Sequence, residues 1–284
     1  MPIKTTPVRY RLFLLGLAAV TGAQLGVAAC DSNTGGKPIE VGLAFSPPDD
    51  SDLVETGQFT NRYGWNVRLE EANIALGAVY FNESPALSAQ LEALLLPRAY
   101  AHPGHGHFAG GEVRAEWLGQ TVYNALRRTP LNIGSVPGVA GAIQSWTLFV
   151  EPPRDGEMPG AGALRGFRAY VVGVAERGED AIAFEGGLEL LDEKESDTLG
   201  VLFEGLPLEA TLDEGQRISI IVDARTWLDE AQFETLLDEE DGTCLETSED
   251  GRCEITPGGQ VHNAWEIGMT VRTVTFDARV EPVR

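Results

Sequence analysis

Short runs of strand-forming residues recur from residue 39 to residue 280 of this 284-residue chain. Each run alternates apolar and polar residues or is rich in β-branched and aromatic side chains, which is typical of β-strands. The nine runs are residues 39–45, 65–71, 73–81, 112–117, 143–150, 167–175, 181–190, 217–222 and 269–280. Glycine and proline clusters at 46–49, 136–138 and 158–162 predict turns or loops. This pattern predicts an all-β fold.

Two segments have the apolar spacing of helices instead. Ser84 and Pro85 precede leucines at helical spacing, and Pro97 ends the pattern. Thr226 opens a second such segment, which reaches Leu237. We therefore predict an antiparallel β-sandwich, of immunoglobulin-like or jelly-roll type, with two short helices.

The first 30 residues have the three parts of a secretory signal. Lys4, Arg9 and Arg11 form a basic stretch, an apolar run covers residues 12–20, and small residues lead to Cys30. The apolar run is shorter than the roughly 20 residues that a transmembrane helix needs. We therefore expect residues 1–29 to be a signal peptide.

The segment Val27-Ala28-Ala29-Cys30 resembles the lipobox of bacterial lipoproteins. That resemblance implies that Cys30 becomes the first mature residue, carries acyl chains and anchors the protein to a membrane. Residues 30–37 would then be a lipidated tether, and residues 38–284 a single β-sandwich domain. The location would be the bacterial cell envelope, facing the periplasm or the cell surface. An ordinary signal peptide cut after Ala29 is the alternative, and two sandwiches divided near residues 152–162 are the alternative to one domain.

The charge excludes one class of partner. The chain has 43 Asp and Glu residues and 21 Lys and Arg residues, so its formal net charge is −22. Because such a surface repels phosphates, nucleic acid is not an expected partner.

The other two cysteines, Cys244 and Cys253, are separated by eight residues that include an Asp-Gly step. Asp-Gly favours a tight turn, and an exported chain meets an oxidising compartment, so we predict a disulfide between them. A metal site that uses both thiolates is the alternative.

Three of the four histidines, His102, His105 and His107, fall within six residues. Gly104 and Gly106 let the backbone bend between them. Neutral imidazole is a ligand for transition metals, and we expect zinc or copper(II) here. The alternative is a polar loop whose histidines face water.

The spacing of His105, His107 and Glu112 resembles the first motif of the cupin family, and residues 251–262 resemble the second motif as far as His262. The resemblance implies a β-barrel of jelly-roll type in which these three residues and His262 bind one metal ion. Glu112 and His262 therefore join the loop histidines as candidate ligands.

These features predict a lipid-anchored, metal-binding protein that sequesters or delivers zinc or copper(II). One alternative is an interaction or structural module of the envelope, which contacts another protein and binds no metal. A cupin-like metal-dependent enzyme is a further alternative. No nucleophile elbow, HExxH motif or phosphate-binding loop occurs in the sequence, so we favour a non-enzymatic role.

Overall fold

Thirteen β-strands form the body of the protein in a computed structural model, which describes residues 36–49, 52–85, 112–152, 158–189, 201–237, 244, 251–270 and 275–283. The strands are β1 Pro38–Ser46, β2 Gln58–Thr60, β3 Asn66–Asn82, β4 Val113–Trp117, β5 Thr121–Asn124, β6 Leu131–Val139, β7 Gly141–Val150, β8 Ala169–Arg177, β9 Asp180–Leu188, β10 Val201–Leu212, β11 Gln216–Val222, β12 Cys253–Glu254 and β13 Phe276–Pro282. Helices are α1 Asp52–Thr56, α2 Gln260–Thr270 and the 3₁₀ helices Ala161–Leu164, Ala224–Leu228 and Phe233–Leu237. The all-β, sandwich-like prediction is confirmed.

Hydrogen bonding joins the strands in the order β12-β9-β8-β3-β4-β6-β1-β11-β13. Strands β2, β5 and β7 also pair with β3, and β10 pairs with β7. Most pairs are antiparallel, but β1 with β11 and β12 with β9 are parallel. The sheet is therefore mixed, where the sequence predicted antiparallel pairing.

Strand β3 connects two parts of the sheet. Its first half pairs with β8, and its second half pairs with β4 and β7. Alternate residues from 66 to 70 are exposed, whereas residues 72–79 are buried on both faces. Because a strand covered on both faces is apolar throughout, its sequence loses the two-residue period there. The runs at 65–71 and 73–81 are consequently one strand.

The C-terminal region corrects the prediction of a strand at residues 269–280. Residues 269 and 270 end helix α2, and strand begins only at Phe276. Apolar residues at 261, 264, 265 and 269 recur at helical spacing, and this face packs against the 3₁₀ helix Ala224–Leu228. Stacking of Trp265 on Trp227, with ring centroids 6.3 Å apart, fixes that contact.

The two predicted helices have different outcomes. The segment from Thr226 to Leu237 forms two 3₁₀ helices, Ala224–Leu228 and Phe233–Leu237, in place of one helix. Asp223 caps the first of them, since its side chain accepts a hydrogen bond from the Arg225 N–H at 3.0 Å. The predicted helix at 84–97 falls mostly outside the described residues.

No helix in the described part of the chain is long and apolar enough to cross a membrane.

Candidate functional site

The connection between β3 and β4 contains three of the candidate ligands. Asn82, the last residue of β3, pairs with Val113, the first residue of β4, and the Glu83 N–H donates to the Glu112 carbonyl at 2.9 Å. The connection therefore leaves and rejoins the sheet at one place, which we call the loop base. His102, His105 and His107 belong to residues 86–111, which lie outside the described residues.

Glu112 lies at the loop base beside a buried cation. Only 8% of the Arg114 side chain is exposed, and its Nη2 atom lies 2.8 Å from Glu83 and 3.8 Å from Glu112. A metal ion at the Glu112 carboxylate would meet this guanidinium charge. Electrostatics at the loop base therefore disfavour Glu112 as a strong ligand.

His262 lies on α2, far from the loop base. Its Nδ1 atom is buried and has no hydrogen-bond partner among the described residues. Helix α2 packs against the 3₁₀ helix Phe233–Leu237, whose Phe233 ring contacts Trp65, the residue before β3, with centroids 5.8 Å apart. Glu112 and His262 consequently lie near opposite ends of β3. Among the residues that the structure describes, no three His, Cys, Asp or Glu side chains form a metal-binding group.

Cys244 and Cys253 form a disulfide, as predicted, with Cα atoms 4.4 Å apart. Cys253 is buried in β12, which pairs with β9. Because the disulfide leaves no thiolate on either sulfur, the structure overturns the two-cysteine metal site.

The structure also contains a cleft that sequence reasoning missed. It lies beside the C-terminal end of β1, and its volume is about 560 Å³. Its lining contains proline, valine and isoleucine side chains, three arginines and three carboxylates, namely Arg128, Arg217, Arg279, Asp49, Glu55 and Glu281. We call it the arginine cleft.

Strand register explains how two of these arginines meet. Arg217 on β11 pairs with Glu281 on β13, and Ser219 pairs with Arg279. Ile218 and Ile220, which alternate with them, are buried in the core. The outward face of the β11–β13 pair is therefore polar, because alternate side chains of a strand point to opposite faces.

Glu281 accepts several hydrogen bonds at this face. One of its carboxylate oxygens accepts from the Ser219 hydroxyl at 2.6 Å and from Arg217 Nη2 at 3.0 Å. The Ser219 hydrogen bond, and after it the Arg217 charge, lower the pKa of Glu281 below its ordinary value. Glu281 thus remains ionised and holds the Arg217 side chain in place.

The other two arginines differ in their partners. Arg279 forms an ion pair with Asp49, and this hydrogen bond raises the pKa of Arg279 above its ordinary value. Arg128 donates from Nη2 to the backbone carbonyl of Glu55 at 2.9 Å. In the described part of the chain, no carboxylate pairs with Arg128.

No protein-family model and no curated protein matches this sequence. Among solved structures, the chain has a similarity to MbnP from Methylosinus trichosporium, with 10% sequence identity and a TM-score of 0.33. The similarity covers 86% of this chain and 98% of that protein.

Proposed function

We propose that this protein is a bacterial lipoprotein of the cell envelope that binds a transition metal ion, zinc or copper(II), for sequestration or delivery. His105 and His107 are the central ligands. His102, Glu112 and His262 are the candidates for the remaining positions. Cys30 carries the lipid anchor.

The observation that carries this proposal is the concentration of histidine in one connection. The chain has four histidines, and three of them occur at residues 102–107. The connection that contains them begins and ends at the loop base, where Glu83 and Glu112 are hydrogen bonded. Long connections of this kind in compact domains are commonly functional.

The disulfide supports the proposed location outside the cytoplasm. Disulfides persist in oxidising compartments such as the periplasm and are rare in the bacterial cytosol. Cys244 and Cys253 are joined, so the folded protein fits the exported state that its N-terminal sequence predicts.

The positions of Glu112 and His262 indicate that His102, His105 and His107 contribute most of the metal affinity. The positive charge of Arg114 repels a metal ion at Glu112, and His262 lies near the other end of β3. We therefore expect the ion to be held by the loop histidines and water, with small contributions from Glu112 and His262.

Calorimetry and elemental analysis of the full chain, purified without a tag in a mild detergent, test the proposal. We expect about one zinc or copper(II) ion per chain, and no stoichiometric binding after joint replacement of His105 and His107 by alanine. His262→Ala, which removes the one histidine outside the loop, discriminates a site confined to the loop from one that reaches α2, and it should change the affinity little. Affinity should fall steeply between about pH 7 and pH 5, because imidazole binds metal only in its neutral form.

Equal, weak and non-stoichiometric uptake by the wild type and the double variant would reject the metal-binding function. The interaction module of the envelope would then be the better interpretation. A large loss in His262→Ala alone would instead show that the site reaches α2.

A further inference from the structure

We propose that the arginine cleft binds a small organic acid, whose carboxylate pairs with Arg128 and with the free N–H groups of Arg217 and Arg279. This proposal does not use the metal site, and neither Glu112 nor His262, the two candidate ligands that the structure describes, lines the cleft.

The charge distribution is the first argument. The chain carries a formal net charge of −22 and has only 21 Lys and Arg residues. Three of these cations line one cleft, where they face the carboxylates of Asp49, Glu55 and Glu281, so the lining is balanced in charge while the chain as a whole is strongly negative. A negatively charged surface repels anions in general, so an anion meets less repulsion at a charge-balanced cleft that offers guanidinium N–H donors.

The second argument is that each arginine has a hydrogen-bond partner in the cleft and keeps further donors. Glu281 holds Arg217, Asp49 holds Arg279, and the Glu55 carbonyl holds Arg128. A guanidinium has five N–H donors, and these contacts leave several donors of each arginine without a partner among the described residues. Arg217 donates twice to Glu281, which Ser219 also holds, so this arginine loses little conformational freedom when a ligand binds, which favours affinity.

Arg128 is the most important of the three. The carboxylates of Glu281 and Asp49 already neutralise Arg217 and Arg279. Among the described residues, Arg128 is hydrogen bonded only to a neutral carbonyl, so none of their carboxylates neutralises its charge. The planar fork of arginine matches the two oxygens of a carboxylate.

The walls indicate an organic ligand in preference to an inorganic ion. Pro47, Pro48 and Pro130 form part of the lining, together with Val54 and Ile221. A volume of about 560 Å³ is typical of sites for small organic molecules. Inorganic phosphate would leave these apolar walls unused.

Isothermal titration of the full chain in detergent, at low ionic strength, tests the proposal. The probes are citrate, succinate and benzoate, with benzamide as the neutral match for benzoate and inorganic phosphate as the compact anion. We expect saturable one-to-one binding of at least one of the three acids, and no binding of benzamide. Arg128→Gln should lower the affinity for that acid at least about tenfold, which is the loss expected when one charge-assisted hydrogen bond is removed.

Arg68→Gln is the matched control, because it removes the same charge from an arginine that pairs with Glu70 outside the cleft. It should leave acid binding unchanged. Arg128→Lys, which keeps the charge and loses the planar fork, should bind with intermediate affinity, and thermal unfolding confirms that each variant is folded. The proposal is overturned if none of the three acids binds saturably, if phosphate binds as tightly as the best acid, or if Arg128→Gln and Arg68→Gln weaken binding equally.

Discussion

The backbone N–H of Ala140 donates a hydrogen bond of 2.8 Å to the carbonyl oxygen of Lys37. A side chain at the next residue, Gly141, would meet the guanidinium of Arg114, which also pairs with Glu83 at the loop base. The point where the N-terminal segment enters the sheet therefore lies at the same end of the molecule as the loop base. Helix α2 lies towards the other end of β3.

This relationship predicts how a lipid-anchored molecule is oriented. Seven residues lead from Cys30 to Lys37, and a chain of that length spans at most about 25 Å. The loop base should therefore stay closer to the membrane than α2 does. A fluorophore attached at Glu112→Cys should transfer energy to acceptor lipids in vesicles more efficiently than one at Asn263→Cys, an exposed position on α2.

The control for this experiment removes the anchor. Cys30→Ser cannot form the thioether, so this variant should leave the membrane fraction and show no transfer from either position. Equal transfer from Glu112→Cys and Asn263→Cys in the anchored protein would reject the orientation. Full membrane partitioning of Cys30→Ser would reject the lipid anchor itself.

The disulfide gives a second prediction. In the Cys30→Ser background, only Cys244 and Cys253 remain, and thiol titration of the folded protein should find no reactive thiol before reduction. Joint replacement of Cys244 and Cys253 by serine should lower the free energy of unfolding by about 2.7 kcal/mol, the chain-entropy value for so short a loop. Urea unfolding measures this loss. Two reactive thiols in the non-reduced protein, or unchanged stability in the double variant, would contradict the prediction.

Sequence patterns located those strands whose residues alternate, and they failed where neighbouring strands determine the structure. Strand β6 contains Pro137 and Gly138, which the sequence indicates as a turn, yet Pro137 pairs with Glu40 of β1. Its other neighbour, β4, pairs with β6 only at Ala115 and Gly138. Because proline has no N–H to donate, a sparsely bonded strand accommodates it, and local composition does not reveal that environment.

Local sequence patterns could not predict the arginine cleft either. Asp49, Arg128, Arg217 and Arg279 come from four separate parts of the sequence and meet through strand register and loop positions. No local spacing connects them. The disulfide, by contrast, was predictable because its two cysteines are close in sequence and need only one turn.

Gly268 gives a third prediction, because α2 approaches a neighbouring backbone there. A Cβ atom at Gly268 would lie 2.4 Å from the Thr226 carbonyl oxygen and 2.9 Å from that of Trp227. Alanine normally favours a helix over glycine by about 1 kcal/mol, but here it should destabilise the protein by about 2 kcal/mol, since neither backbone oxygen moves easily. Chemical denaturation measures the change in unfolding free energy.

Gly162→Ala is the control for this prediction. Gly162 lies in the 3₁₀ helix Ala161–Leu164, and a Cβ atom there would meet no atom within 4 Å. Its unfolding free energy should stay within about 0.5 kcal/mol of the wild type. If Gly268→Ala were as stable as Gly162→Ala, α2 would not pack closely against the 3₁₀ helix Ala224–Leu228.

The Ser219 hydrogen bond to Glu281 predicts a pH-dependent stability. This bond, together with Arg217, holds the pKa of Glu281 below its ordinary value. Stabilisation by the ionised carboxylate is therefore fully present above the unfolded-state pKa of about 4.3, and it is lost as the pH falls through the lower folded-state pKa. Ser219→Ala should raise the pKa of Glu281 and destabilise the protein by about 1 kcal/mol at pH 7.

The stability difference between wild type and Ser219→Ala should accordingly shrink as the pH falls from about 5 to below the folded-state pKa of Glu281. Urea unfolding across this range measures it, and NMR titration of the Glu281 carboxyl carbon reports the pKa directly. Ser145→Ala is the matched control, because the Ser145 hydroxyl donates to the Ser84 backbone carbonyl at 2.6 Å, a group that does not titrate. Its destabilisation should be the same at every pH. A Ser219→Ala difference that is equally constant would show that the hydroxyl does not stabilise the ionised form of Glu281.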